Sequence, residues 1–111
     1  MNVRIQQCGA VSVVQPDGPL TGQAATDLKD QLLTQIQTHL GRVILDAAAV
    51  PYLDSQGLEI LVDVTEELSL SGQALKLCGP NPTVREVFEL TGVAAQFEFY
   101  EDAHAAVRSF L

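Results

Sequence analysis

A chain of 111 residues, 47% of them hydrophobic, can bury one core without help from disulfides or metal. Six Lys and Arg against 14 Asp and Glu leave a formal net charge of -8. That balance argues against nucleic acid and anionic membrane as partners, because both are held by clustered basic side chains. The two cysteines, Cys8 and Cys78, form no CxxC pair and read as small hydrophobes. The N-terminus, MNVRIQQCGAVSVV, alternates instead of running apolar, so neither a signal peptide nor a membrane span is visible and a cytoplasmic chain is expected.

In chain order, Val3, Ile5 and Gln7 alternate, Cys8-Gly9 interrupts, and Val11 and Val13 alternate again. This predicts a β-hairpin that Pro16-Asp17-Gly18-Pro19 breaks off as a loop. Ala25, Leu28, Leu32, Ile36 and Leu40 recur at helical spacing, with Thr21 as candidate N-cap and Gly41 as candidate stop. Val43-Ile44-Leu45 has the unbroken apolar character of a strand buried on both faces. After YLDSQGLEIL the spacing is helical once more, and Leu58, Leu61, Val62, Thr65 and Leu68 share a face until Ser71-Gly72. A strand follows at Ala74–Cys78, then a helix opened by Asn81-Pro82 with Val84, Val87, Phe88 and Thr91 on one stripe. Phe97 and Phe99 mark a final strand, and Asp102 caps a last helix whose Ala106, Val107 and Phe110 face inward. This order predicts one α/β domain over residues 1–111: a mixed, mostly parallel sheet with an N-terminal hairpin and about four helices.

Most catalytic chemistry lacks its parts. There is no phosphate loop and no G-x-G-x-x-G after a strand, so no nucleotide cofactor is expected. His39 and His104 have no second ligand at i+3 or i+4, and no metal site is expected. Glu66-Glu67 reads as a solvated helix face. Ser55 has Gly57 behind it, but Leu53 stands where a nucleophile elbow needs glycine, and nothing marks a histidine base. VILDAAAVP resembles the phospho-acceptor site of receiver domains at Asp46. An acidic pair after the first strand is missing, however, and Lys76 lies within a strand. Asp46 therefore reads as a loop residue that accepts backbone hydrogen bonds. An enzyme is not expected.

Ser55 remains. Its position is that of a helix N-cap, worth about 1 kcal/mol, and capping alone accounts for a serine there. A helix start also favours an anion, so a phosphate on Ser55 would be accommodated while adding about -1.5 to -2 charge beside Asp54.

Across residues 3–110 the chain resembles a STAS domain, the family of bacterial anti-sigma factor antagonists and of the cytoplasmic tails of sulphate transporters. GPLTGQAATDL resembles that family's loop into its first helix, and VILDAAAVPYLDSQGLEIL its central signature. The resemblance implies a non-catalytic partner-switching regulator that binds an anti-sigma factor. That partner is also a serine kinase, carrying its own ATP, and phosphorylation at Ser55 switches binding off until a phosphatase resets it. It further implies a partner surface of Thr21, Leu53, Asp54, Ser55, Gln56, Gly57 and Leu58. Gln56 stands where the family commonly has a second Ser or Thr, and Thr21 where many antagonists have Asp. The same resemblance leaves open a constitutive adaptor subunit of a transporter or signalling complex, without phosphorylation.

Overall fold

The computed structural model describes residues 2–111. Five strands form one sheet: β1 (Asn2–Cys8), β2 (Val11–Asp17), β3 (Val43–Asp46), β4 (Leu75–Cys78) and β5 (Phe97–Tyr100). They lie side by side in sequence order, β1 antiparallel to β2 and the rest parallel. Four helices connect or follow them: α1 (Gly22–Thr38), α2 (Ser55–Ser69), α3 (Pro82–Leu90) and α4 (Ala103–Arg108), with a 3-10 turn at Ala94–Gln96. The α/β mixed sheet with its N-terminal hairpin is as expected.

Strand order governs where the helices go. Each parallel crossover steps to the next strand in the same direction, and right-handed crossovers of that kind place every connecting helix on one face. Val14, Val43, Leu45, Leu75, Leu77 and Phe97 accordingly point into a core shared with α1, α2 and α3. The opposite face offers Val11, Val13, Ile44 and Cys78, and α4 alone covers it, through Ala106. Lys76 fastens that helix. Its Nζ lies 3.9 Å from the Phe110 ring centroid and 2.7 Å from Ser109 Oγ. Buried polar side chains are satisfied: Ser12 donates to Gln35 at 2.7 Å, and Thr65 Oγ1 bridges the Leu75 amide and the Gln96 carbonyl.

Two local expectations are corrected. Pro16 and Asp17 belong to β2, opposite Val3 and Asn2. β3 reaches only to Val14 in this register, so a proline at 16 forfeits no ladder bond on that side. On α2 the fully buried residues are Gly57, Ile60, Leu61, Val64, Thr65 and Leu68, while Leu58 and Val62 are half-buried. The inward stripe is rotated because Gly57 sits hard against another segment, described below. On the last helix Ala106 is buried and Val107 and Phe110 pack against the same cluster, so all three face inward as expected.

The end of α1 holds the chain's one left-handed non-glycine residue among those described. Leu40 has φ 56° and is 72% exposed, and the Gly41 amide closes back on the Ile36 carbonyl at 2.9 Å. This is the geometry of a Schellman end, where glycine or asparagine is the ordinary occupant.

Cys78 is buried, and burial, reinforced by the neighbouring Asp46 carboxylate, pushes its thiol up from 9.0 to about 12. The folded chain keeps that proton to higher pH than the unfolded chain, so stability falls as pH rises from about 9 to about 12. At pH 8 a disulfide-exchange reagent is expected to modify half-exposed Cys8 first and to reach buried Cys78 only through an opening that uncovers it. Simultaneous titration of both thiols under native conditions would contradict this.

Candidate functional site

Parallel strands carried into helices on one face bring several helix N-termini to one end of the molecule. There two connecting segments run alongside each other, one leading into α1 and one into α2. Gly18 N–H donates to the Ala49 carbonyl at 3.1 Å and Leu20 N–H to the Tyr52 carbonyl at 3.1 Å. Asp54 N–H returns to the Leu20 carbonyl at 3.3 Å, and Leu20 and Leu53 form an isolated parallel bridge. From the other side Asn81 Nδ2 donates to the carbonyls of Val50 and Pro51, at 3.2 and 3.1 Å. Backbone that would otherwise be loose loop is thereby held on both flanks.

Gly57 makes this approach possible. A Cβ at that position would overlap the Leu20 carbonyl oxygen. Its φ is not in the left-handed region, so the requirement is for space and not for conformation. Gly57 N–H donates to Asp54 Oδ1 at 2.8 Å, and Leu58 N–H to the Asp54 carbonyl at 3.0 Å.

That bond moves the cap by one residue. Asp54 is the N-cap of α2 and Ser55 is its first helical residue, contrary to the expectation that Ser55 caps. With Asp54 in that role, the exposed Ser55 hydroxyl has no hydrogen-bond partner among the described residues. Thr21, the N-cap of α1, likewise makes no side-chain cap bond. Gln56 Nε2 donates to Thr26 Oγ1 at 3.2 Å, which ties the first turn of α2 to α1.

The seven residues named from the sequence come together but divide in role. Asp54, Ser55 and Gln56 are exposed, and Thr21 and Leu58 are half-buried. Leu53, 8% exposed, and Gly57 are buried beneath them and shape the surface from below. Sequence reasoning missed Tyr52, 52% exposed beside this cluster, and Asn81, which fastens it. Asn81-Pro82 opens α3 as expected, with Asn81 as its N-cap and Oδ1 accepting from Val84 N–H at 2.7 Å. Its second bond, to the α2 connection, crosses about 30 residues and leaves no local signal.

Asp46 ends β3. Its Oδ1 accepts from Ala48 N–H at 3.0 Å and its Oδ2 from Gln15 Nε2 at 2.9 Å, so the carboxylate is engaged as expected of a structural residue. Lys76, which a receiver site would direct at the acceptor, is committed to Ser109, Glu98 and Phe110.

A protein-family model described as STAS domain matches residues 2–106. BtrV of Bordetella bronchiseptica, a protein assigned as an anti-sigma factor antagonist, is 28% identical over 110 residues, covering 99% of this chain and 95% of its own length. A Thermotoga maritima protein with the same assignment superposes with a TM-score of 0.87 at 21% identity, covering 96% of this chain and 92% of that one. The anti-sigma factor antagonist SpoIIAA, in its unphosphorylated form, gives a TM-score of 0.77 at 21% identity, covering 98% and 96%. SpoIIAA of Bacillus in its phosphorylated form gives 0.71 at 20% identity, covering 97% and 99%. These structures share the fold.

Capping by Asp54 has a measurable signature. Asp54→Ala is expected to lower stability by about 1 kcal/mol, whereas Ser55→Ala stays within about 0.5 kcal/mol of wild type. Gly57→Ala, forced against the Leu20 carbonyl, is expected to cost more than either, about 1–3 kcal/mol. Urea unfolding of the three variants checks the order. A larger loss at Ser55 than at Asp54 would return the cap to the serine.

Proposed function

The chain belongs to the STAS domain family, and on that premise we propose that it is an anti-sigma factor antagonist whose binding is switched off by phosphorylation of Ser55. One observation carries the proposal: Asp54 performs the capping, so Ser55 presents a hydroxyl that the fold does not use, on backbone fastened to both neighbouring segments. A phosphate acceptor needs an exposed oxygen whose modification leaves the domain standing, and that is what supports Ser55.

The partner is an anti-sigma factor that is itself a serine kinase and brings its own ATP; a phosphatase restores the free form. The antagonist is non-catalytic and acts in the cytoplasm. Among the described residues no helix is long and apolar enough to cross a membrane. Thr21, Asp54, Gln56 and Leu58 surround Ser55 on the contact face, with Leu53 and Gly57 setting its shape from beneath.

The switch works by charge. At the start of α2 the helix dipole favours an anion, so the phosphorylated chain stays folded. Asp54 already places a carboxylate there, and the phosphate adds about -1.5 to -2 more. A partner that desolvates this spot must then strip water from two adjacent anions. A penalty of about 4 kcal/mol corresponds to roughly a thousandfold loss of affinity.

Incubation with the cognate kinase and ATP is expected to place one phosphate on Ser55, absent in Ser55→Ala, by mass spectrometry. Titration calorimetry should find Ser55→Asp bound about a thousandfold more weakly than wild type, with unchanged thermal unfolding. Ser55→Asp that binds as tightly as wild type would exclude the switch and leave a constitutive adaptor.

A further inference from the structure

The far end of the same helix pair is built differently. α1 and α2 pack together, and their outer seam forms two adjoining depressions of about 530 and 520 Å³ that share Glu67 and Leu70. Half-buried Leu33 and Ile36 lie at the bottom, one in each depression, while Leu40 and Leu70, 72% and 82% exposed, stand at the rim. From Lys29 to Thr38 the seam runs about 14 Å along α1, and Leu40 lies just past the helix end. One wall is acidic. Asp63 pairs with Lys29 at 3.2 Å, but Glu66 and Glu67 have no cationic partner among the described residues.

Leu40 makes this more than an ordinary exposed leucine. It occupies a left-handed position, φ 56°, that favours glycine or asparagine, and its side chain gains little burial in return. A bulky apolar residue thus stands where both backbone and solvent disfavour it, and Leu70, helical in backbone but 82% exposed, lines the same depression.

We infer that the α1–α2 seam is a second docking surface, separate from the Ser55 face, for an amphipathic helix of a partner protein. That helix would carry apolar residues at i, i+3, i+4 and i+7 along one side and Lys or Arg beside them. Leu33, Ile36, Leu40 and Leu70 call for the apolar stripe, and the unpaired glutamates fix the sign of the flanking charge. A second copy of this chain does not suit the groove. Of its six basic residues, Lys29, Lys76 and Arg85 are in ion pairs, while Arg4, Arg42 and Arg108 lie apart on different segments. The inference does not depend on phosphorylation of Ser55.

A synthetic helical peptide of about 14 residues, Leu at the four stripe positions and Lys elsewhere, tests it by amide NMR titration of the full chain. Perturbations are expected within residues 29–41 and 63–73, and Ser55→Asp should not alter them. The double variant Leu40→Asn/Leu70→Asn keeps the net charge and suits the left-handed position, so it stays folded by thermal melt. It is expected to weaken binding at least about tenfold. Glu66→Gln/Glu67→Gln should weaken binding and flatten its salt dependence. The inference is overturned if the asparagine variant binds the peptide as well as wild type, if a peptide with scrambled leucines binds equally, or if perturbations gather around Ser55. It is overturned too if the wild-type chain sediments as a dimer that the asparagine variant dissociates, which would make a second copy the occupant.

Discussion

One carbonyl oxygen, that of Leu20, organises the candidate site. It accepts the Asp54 amide, and the bare Cα of Gly57 lies against it. Because the segment before α1 is stitched to the segment before α2, Asp54 is delivered with its amide already spent and its carboxylate aimed at Gly57 N–H. The cap, the first turn of the helix and the freedom of the serine hydroxyl all follow. Ordering the eight-residue connection between β3 and α2 costs about 1–2 kcal/mol per residue in backbone entropy, so a site on it has a fixed shape only where such bonds repay that cost.

Topology then sets where chemistry can appear. Strands laid down in sequence order put three helices on one face with their starts at the same pole. That pole carries unsatisfied amides, cap residues and a free hydroxyl, all suited to anions and to charge-based regulation. The opposite pole carries helix ends, a left-handed leucine and the α1–α2 seam, suited to apolar contact. A small domain with a large negative charge can in this way present two surfaces of unlike character about two helical turns apart along one helix pair.

Legibility from sequence followed the range of the interaction. Elements dictated by local periodicity or a local cap were readable: the alternating hairpin, Asn81-Pro82, Asp102 and the apolar run at Val43–Leu45. Asp54 and Ser55 are both cap residues, so composition does not choose between them. The choice is made by Leu20, 34 positions away in the chain, through a hydrogen bond to Asp54. The inward stripe of α2 is turned by the same contact. Ile60 and Val64 are buried while Leu58 and Val62 sit at the edge, although all four are equally apolar. Tyr52 and Leu40 could not be recognised as exposed, because apolar residues near a helix boundary ordinarily turn inward. Gly57 is a case where the signature residue was visible but its reason, room for a foreign carbonyl, was not.

The lone helix on the second face has a dynamic consequence. α4 has only six residues, too few to be helical without its contacts, and one lysine held between an aromatic ring and a serine fastens it. Detaching it uncovers Val11, Val13, Ile44 and Cys78 while leaving the three-helix core intact. The two faces of the sheet are therefore expected to differ in protection. The amides of α4 should open to hydrogen exchange through a sub-global fluctuation that the helices bearing Ser55 and the α1–α2 seam do not share.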